Sequence, residues 1–119
     1  MLVVNRFVVE DDVAATFAER AGLALKALSE RPGYVRGELG RAFDDPAHWA
    51  LVTEWASVGA YRRALGGFEV KMHATPLMAQ SIDEPSAYEI LVHTDESGEV
   101  ASFASDRAPD VGDTLRSRP

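Results

Sequence analysis

Residues 49–73, WALVTEWASVGAYRRALGGFEVKMH, decide the fold. From His48 to Ala56 the side chains alternate with a period of two. Trp49, Leu51, Thr53 and Trp55 fall on one face and Ala50, Val52, Glu54 and Ala56 on the other, so this is a strand. Ser57 suits a helix N-cap, because its hydroxyl accepts an otherwise unpaired N–H of the first turn. The short helix it opens runs through Leu65 and stops at Gly66-Gly67. Phe68 to about Ala79 resumes helically, limited or kinked by Pro76, whose ring removes a backbone donor. Aromatic and polar side chains able to do chemistry are concentrated on this stretch: Trp49, Trp55, Tyr61 and His73.

Upstream, Tyr34 to Phe43 reads as the strand that pairs with it. Asp44-Asp45-Pro46 supplies the turn of the hairpin. Loose alternation puts Val35, Leu39 and Phe43 on one side and Tyr34, Arg36 and Glu38 on the other, and Gly37 and Gly40 point to a bulge or strong curvature. Arg31-Pro32-Gly33 ends the preceding element, since the residue before a proline avoids the α region. That element is an amphipathic helix capped by Asp11 or Asp12, with Val13, Phe17, Ala21, Ala24, Leu25 and Leu28 at helical spacing up to Ser29. Before it, Leu2 to Val9 is a run of β-branched and aromatic residues, hence a strand. Asn5 stands out inside it, because a side-chain amide in an apolar strand needs partners if buried.

Downstream, Asp83-Glu84-Pro85 makes a turn, and Ser86 to His93 reads as the last strand. From Thr94 the composition shifts to Asp, Ser, Gly, Pro and Arg. Residues 94–119 are therefore expected to be a tail, partly disordered or packed on a partner subunit, after a domain of residues 1–93.

The 119 residues carry 12 Lys and Arg against 19 Asp and Glu, a net charge of −7, which argues against a nucleic-acid partner. There is no cysteine, so thiolate catalysis, disulfides and sulfur-ligated metals are excluded. No run approaches the roughly 18 apolar residues of a membrane span. A soluble, cytoplasmic protein without a membrane partner is expected. Metal-ligand spacing and a phosphate-cradling glycine loop are both missing, since Gly66-Gly67 follows a helix and lacks the G-x-G-x-x-G pattern. Arg62, Arg63 and Lys71 form a local basic concentration, which is either solvated helix surface or a patch that receives an anionic small molecule.

The element order β-α-β-β-α-β is the ferredoxin-like α+β arrangement, an antiparallel sheet with helices on one face. The other face then needs cover. Val3, Leu39, Trp49 and Leu51 are expected on it, so two sheets are expected to pack face to face in a homodimer.

Two segments carry a resemblance. VTEWASVGAYRRAL, residues 52–65, is similar to the strand-to-helix signature W-x-S-x-x-A-[FY], and RPGYVRGELGR enters the second strand in a familiar way. Residues 2–93 resemble the antibiotic biosynthesis monooxygenase family, of the dimeric α+β barrel superfamily. The resemblance implies a cofactor-independent monooxygenase acting on a planar aromatic or polyketide-like molecule. Trp55 and Tyr61 match the tryptophan and tyrosine of the polyketide oxygenases, whereas Leu51 and Thr75 stand where those enzymes have asparagine and arginine. The haem-degrading branch is the alternative. Asn5 matches its first-strand asparagine and His73 the position of its axial ligand, but Ala64 replaces its crowding tryptophan. A non-catalytic ligand-binding or interaction module of the same fold is the third reading.

The candidate catalytic residues are thus Asn5, Trp55, Tyr61 and His73, with Trp49, Leu51 and Phe68 as substrate contacts. No cofactor is expected on the first reading, and haem on His73 on the second. Trp49 and Trp55 are either core packing or a stacking wall for a flat ligand. Tyr61 either holds a substrate oxygen or sits with its hydroxyl in water. Asn5 either bonds neighbouring backbone or orients dioxygen or a substrate carbonyl. His73 is either an ordinary helix histidine or a ligand or base. His48 and His93, near strand ends, match no motif.

Overall fold

A computed structural model of the chain describes residues 1–105. Backbone contacts divide it into two units, Met1–Tyr88 and a second beginning at Glu89. The first is α+β. Strands β1 (Leu2–Val8), β2 (Tyr34–Arg41), β3 (His48–Trp55) and β4 (Ala87–Tyr88) form an antiparallel sheet in the order β2-β3-β1-β4. Helices α1 (Ala14–Ser29), α2 (Val58–Ala64), α3 (Phe68–His73) and α4 (Thr75–Met78) supply the other layer. The ferredoxin-like arrangement follows from the alternation in β1 and β3, whose alternate residues are buried.

The core lies between the layers. Val3, Phe7, Leu51 and Trp55 from the sheet meet Phe17, Ala21, Ala24 and Leu28 of α1 and Val70, Ala74 and Leu77 from α3 and its continuation. Alanine at positions 21, 24 and 27 lets α1 lie close to the sheet. Ser57 caps α2 as expected, accepting the Ala60 N–H at 3.0 Å. Pro76 sits in the first turn of α4, so the helix after Gly67 is two short pieces. At the start of α1, Asp11–Val13 is a 3-10 turn and no side chain caps the helix.

Three expectations are corrected. The last strand is two residues long in this sheet. β4 runs antiparallel to β1 with Tyr88 opposite Leu2, so by Glu89 the partner strand has run out. The chain beyond forms a separate hairpin, β5 (Val92–Thr94) with β6 (Val100–Ser102), where a tail was expected from Thr94. Its turn is set by Asp95, whose carboxylate accepts the Ser97 N–H at 2.8 Å, and by Gly98 at φ 81°. Residues 106–119 of the expected tail lie outside the described residues.

Second, the β2 pairing shifts between Tyr34 and Arg36, exchanging the faces on either side of the bulge. Tyr34 and Leu39 therefore pack against the core while Val35 and Phe43 are exposed. Third, Val3, Leu39, Trp49 and Leu51 do not cover the outer sheet face. They lie with the core, since β1 and β3 pair Val3 with Thr53, Asn5 with Leu51 and Phe7 with Trp49 on the helix-facing side. The outer face carries Leu2, Val4, Arg6 and Val8 beside Ala50, Val52 and Glu54. Arg36 pairs there with Glu54 at 3.0 Å and Glu38 at 3.1 Å.

Candidate functional site

The helix-facing side of the sheet is a ladder of paired residues. Asn5 is on its middle rung, opposite Leu51, with Val3 and Thr53 on one side and Phe7 and Trp49 on the other. Its side chain is only 7% exposed, and it makes no side-chain hydrogen bond among the described residues. Its amide atoms are not fully sealed, so a small part of the group still reaches solvent. Trp49, diagonal to Asn5 and so about 7–8 Å away, somewhat less between Cβ atoms, has a buried indole N–H that lacks an acceptor. Two neighbouring rungs thus hold unspent hydrogen-bonding capacity.

Next to them a cleft of about 440 Å³ opens at the end of β1. Phe7, Val8 and Val9 of the first strand and Val13, Thr16, Phe17 and Arg20 around α1 line it, with Glu10, Asp12 and Gln80 at its polar edge. Phe7 and Phe17 meet edge to face at 5.0 Å, and Phe17 meets Trp49 in the same way at 5.6 Å. Arg41 lies over the Trp49 ring at 5.1 Å. Arg20 donates to Gln80 at 3.4 Å across the cleft edge.

At the other end of the ladder Trp55 is 1% exposed. Its N–H donates to Thr53 Oγ1 at 2.9 Å, and Tyr34 and Tyr61 pack on it at 5.4 Å and 5.6 Å. Tyr61 is half-buried on α2, and burial raises its phenol above the usual value. It therefore stays a proton donor through the neutral range. Leu51 is wholly buried. His73 is at the margin of α3, because Val70 and Ala74 take the core-facing positions, and its Nε2 is 3.3 Å from Glu69. Phe68 is 73% exposed.

Asn5, Leu51, Trp49 and Trp55 thus share one sheet face, with Tyr61 in ring contact with Trp55, while His73 and Phe68 belong to the outer side of α3. None of these residues lines the cleft. Phe7, Phe17, Arg20 and Gln80, which do, were not singled out by sequence. Phe17 read as one more member of an apolar stripe, and Gln80 came after the helical pattern had ended. His73, the ligand of the haem alternative, stands partly exposed with its Nε2 3.3 Å from Glu69. Among the described residues no group of three potential metal ligands comes together, and no helix is long and apolar enough to cross a membrane.

A family model described as antibiotic biosynthesis monooxygenase matches residues 1–74. The chain belongs to that family. The matched segment runs from β1 through α3 and contains every residue of the sheet ladder. Among solved structures, SnoaB, a cofactor-independent oxygenase from Streptomyces nogalater, is 27% identical, with 90% of this chain and 93% of that one covered at a TM-score of 0.59. A conserved protein from Methanosarcina mazei Go1 shares the fold at 15% identity and a TM-score of 0.60, over 72% of this chain and 84% of that one. Comparison with curated proteins gives no match. For an antibiotic biosynthesis monooxygenase fold, the unpartnered amide of Asn5 on the inner sheet face is the feature that most needs a chemical explanation.

Proposed function

We propose that the protein is a cofactor-independent monooxygenase acting on a planar, electron-rich aromatic compound, and that Asn5 is the residue that orients the reacting oxygen. The support is family membership, the likeness to SnoaB, and one observation above the rest: a nine-tenths buried amide without a partner beside an aromatic-walled cleft. A ring entering the cleft meets Phe7 and Phe17, and Asn5 is the next inward-facing residue on β1 after Phe7. Cleft volumes of this order suit small aromatic ligands.

The substrate class follows from what such a site supplies. An anthrone-type methylene or phenol, once deprotonated, passes one electron to dioxygen. Superoxide then recombines at the same carbon, forming a C–O bond. Loss of water from that hydroperoxide breaks the O–O bond and leaves a carbonyl. One oxygen atom ends in the product and the other in water, with no outside electrons. Protein groups need only hold the substrate, favour its anion and exclude bulk water. Asn5 donates to the substrate oxygen as charge builds there, with the Trp49 N–H as a second donor. Tyr61, at the other end of the ladder, and His73, on the outer side of α3, stand apart from the cleft and take no part in this step.

The active form is a homodimer joined through the outer sheet face, where Leu2, Val4, Ala50 and Val52 form an apolar strip on β1 and β3. The test of the function is dioxygen uptake by the purified full chain with anthrones and naphthols, in buffer scrubbed of metals and without added cofactor. Stoichiometric carbonyl product supports the reading. Uptake no faster than the buffer control on every compound rejects it.

A further inference from the structure

The described cations fall into two groups. Arg6 pairs with Glu84 at 3.8 Å, Lys26 with Glu30 at 3.9 Å, and Arg36 with Glu38 and Glu54. Arg20 bonds Gln80, and Arg41 stacks on Trp49. Arg31, Arg62, Arg63 and Lys71 have no such partner among the described residues. In a chain of net charge −7 that is unexpected, and all four stand on the segments that flank the Gly66–Gly67 break between α2 and α3, with the Arg63 guanidinium turned back over Gly59.

Arg62 and Arg63 are in the last turn of α2, and Lys71 is one turn beyond Gly67, whose carbonyl accepts the Lys71 N–H at 2.9 Å. Arg31 reaches the same place from the end of α1. The loop that carries it packs on α2 so closely that a Cβ at Gly33 would lie 2.4 Å from that of Ala60. Its side chain crosses Gly67, where a Cβ would meet Nε at 3.1 Å and Cδ at 3.2 Å. Gly67 is thus the space through which Arg31 passes. Arg31 Nε is sealed there without an acceptor, while the terminal nitrogens of the guanidinium are not sealed and remain open to a ligand. Of the neighbouring acids, Glu30 turns to Lys26, and Glu69 to His73, which offsets its charge only in the protonated form.

We propose that the Gly66–Gly67 corner is a binding site for a phosphate-bearing small molecule, separate from the cleft. A guanidinium presents a planar fork suited to phosphate oxygens, and an ammonium adds a mobile point charge. Arg31 at Gly67 and Lys71 one turn beyond it, both without a carboxylate partner among the described residues, match a phosphate dianion. Phe68, exposed on the residue after Gly67, offers an apolar contact for the organic part of the ligand.

The test is calorimetric titration of the full chain with pyrophosphate at low ionic strength, beside Arg31→Gln, Lys71→Gln and Arg36→Gln, the last on the outer sheet face. Saturable binding at one site per chain is expected, weakened about tenfold or more by losing either site cation and unchanged in Arg36→Gln. Lys71 is exposed, so its variant tests the site even if Arg31→Gln fails to fold. Absent binding, or equal weakening in Arg36→Gln, overturns the proposal, the latter because it marks diffuse attraction. Sedimentation with phosphatidylcholine vesicles containing or lacking phosphatidylglycerol separates a lipid headgroup from a free phosphate ester. Binding to the anionic vesicles without pyrophosphate binding also overturns it.

Discussion

Trp55 donates its indole N–H to Thr53 Oγ1 at 2.9 Å, two residues back on the same strand and buried with it. A tryptophan anchored in this way, with Tyr34 and Tyr61 packed on its ring, holds a fixed position from which Tyr61 is oriented. Thr53→Val keeps the shape and removes the acceptor. It is expected to destabilise the fold by about 1–3 kcal/mol, read as a lower denaturant midpoint with an unchanged slope.

Tyr61 and Tyr34 predict the alkaline limit of stability. Burial raises both phenols, helped at Tyr34 by the charge of Glu38. A folded value above the unfolded one means that the native state binds more protons between the two. Stability is therefore fully present below about pH 10 and falls as pH rises through the folded values. Thermal midpoints of the wild type should drop above that pH, and Tyr34→Phe/Tyr61→Phe should show a shallower fall. Equal slopes would contradict the burial argument.

Gly33 has φ 89°, a left-handed backbone, and no room for a side chain against Ala60. Gly33→Ala adds backbone strain to a steric clash, so a loss of about 2–5 kcal/mol is expected. Gly40, with nothing near its Cβ position, is the control. Chemical denaturation of both alanine variants checks the difference.

The proposed dimer predicts a response on the outer face only. Val52→Lys places a charge in the middle of the apolar strip without touching the core. Sedimentation equilibrium should show a monomer for this variant and a dimer for the wild type. A dimer in both would move the interface elsewhere.

Much of this was legible in the sequence where local chemistry decides the structure. Ser57 announced its cap, Pro76 its short helix, and the period of two which residues of β3 share a face, although not that this face turns to the helices. Elements failed to announce themselves where a partner decides. The length of β4 depends on where β1 begins, and nothing local to residues 86–93 records that. A bulge at Tyr34 cannot be located from alternation alone, because the extra residue looks like any other, and it reversed the faces assigned to Val35 and Phe43. At the site, Asn5 was visible as an amide in an apolar run. The missing acceptor of Trp49 and the Phe7–Phe17 cleft were not, because both depend on how the turn before α1 packs across β1.

Asn5→Leu tests the central claim most directly. Replacing an unpartnered buried amide with an apolar group of similar size should leave stability unchanged or raise it by about 1 kcal/mol. Dioxygen uptake with an anthrone turned over by the wild type should fall about 100-fold or more, as when a transition-state hydrogen-bond donor is removed. A folded Asn5→Leu protein that consumes dioxygen at the wild-type rate would contradict the assignment of Asn5 to the reacting oxygen.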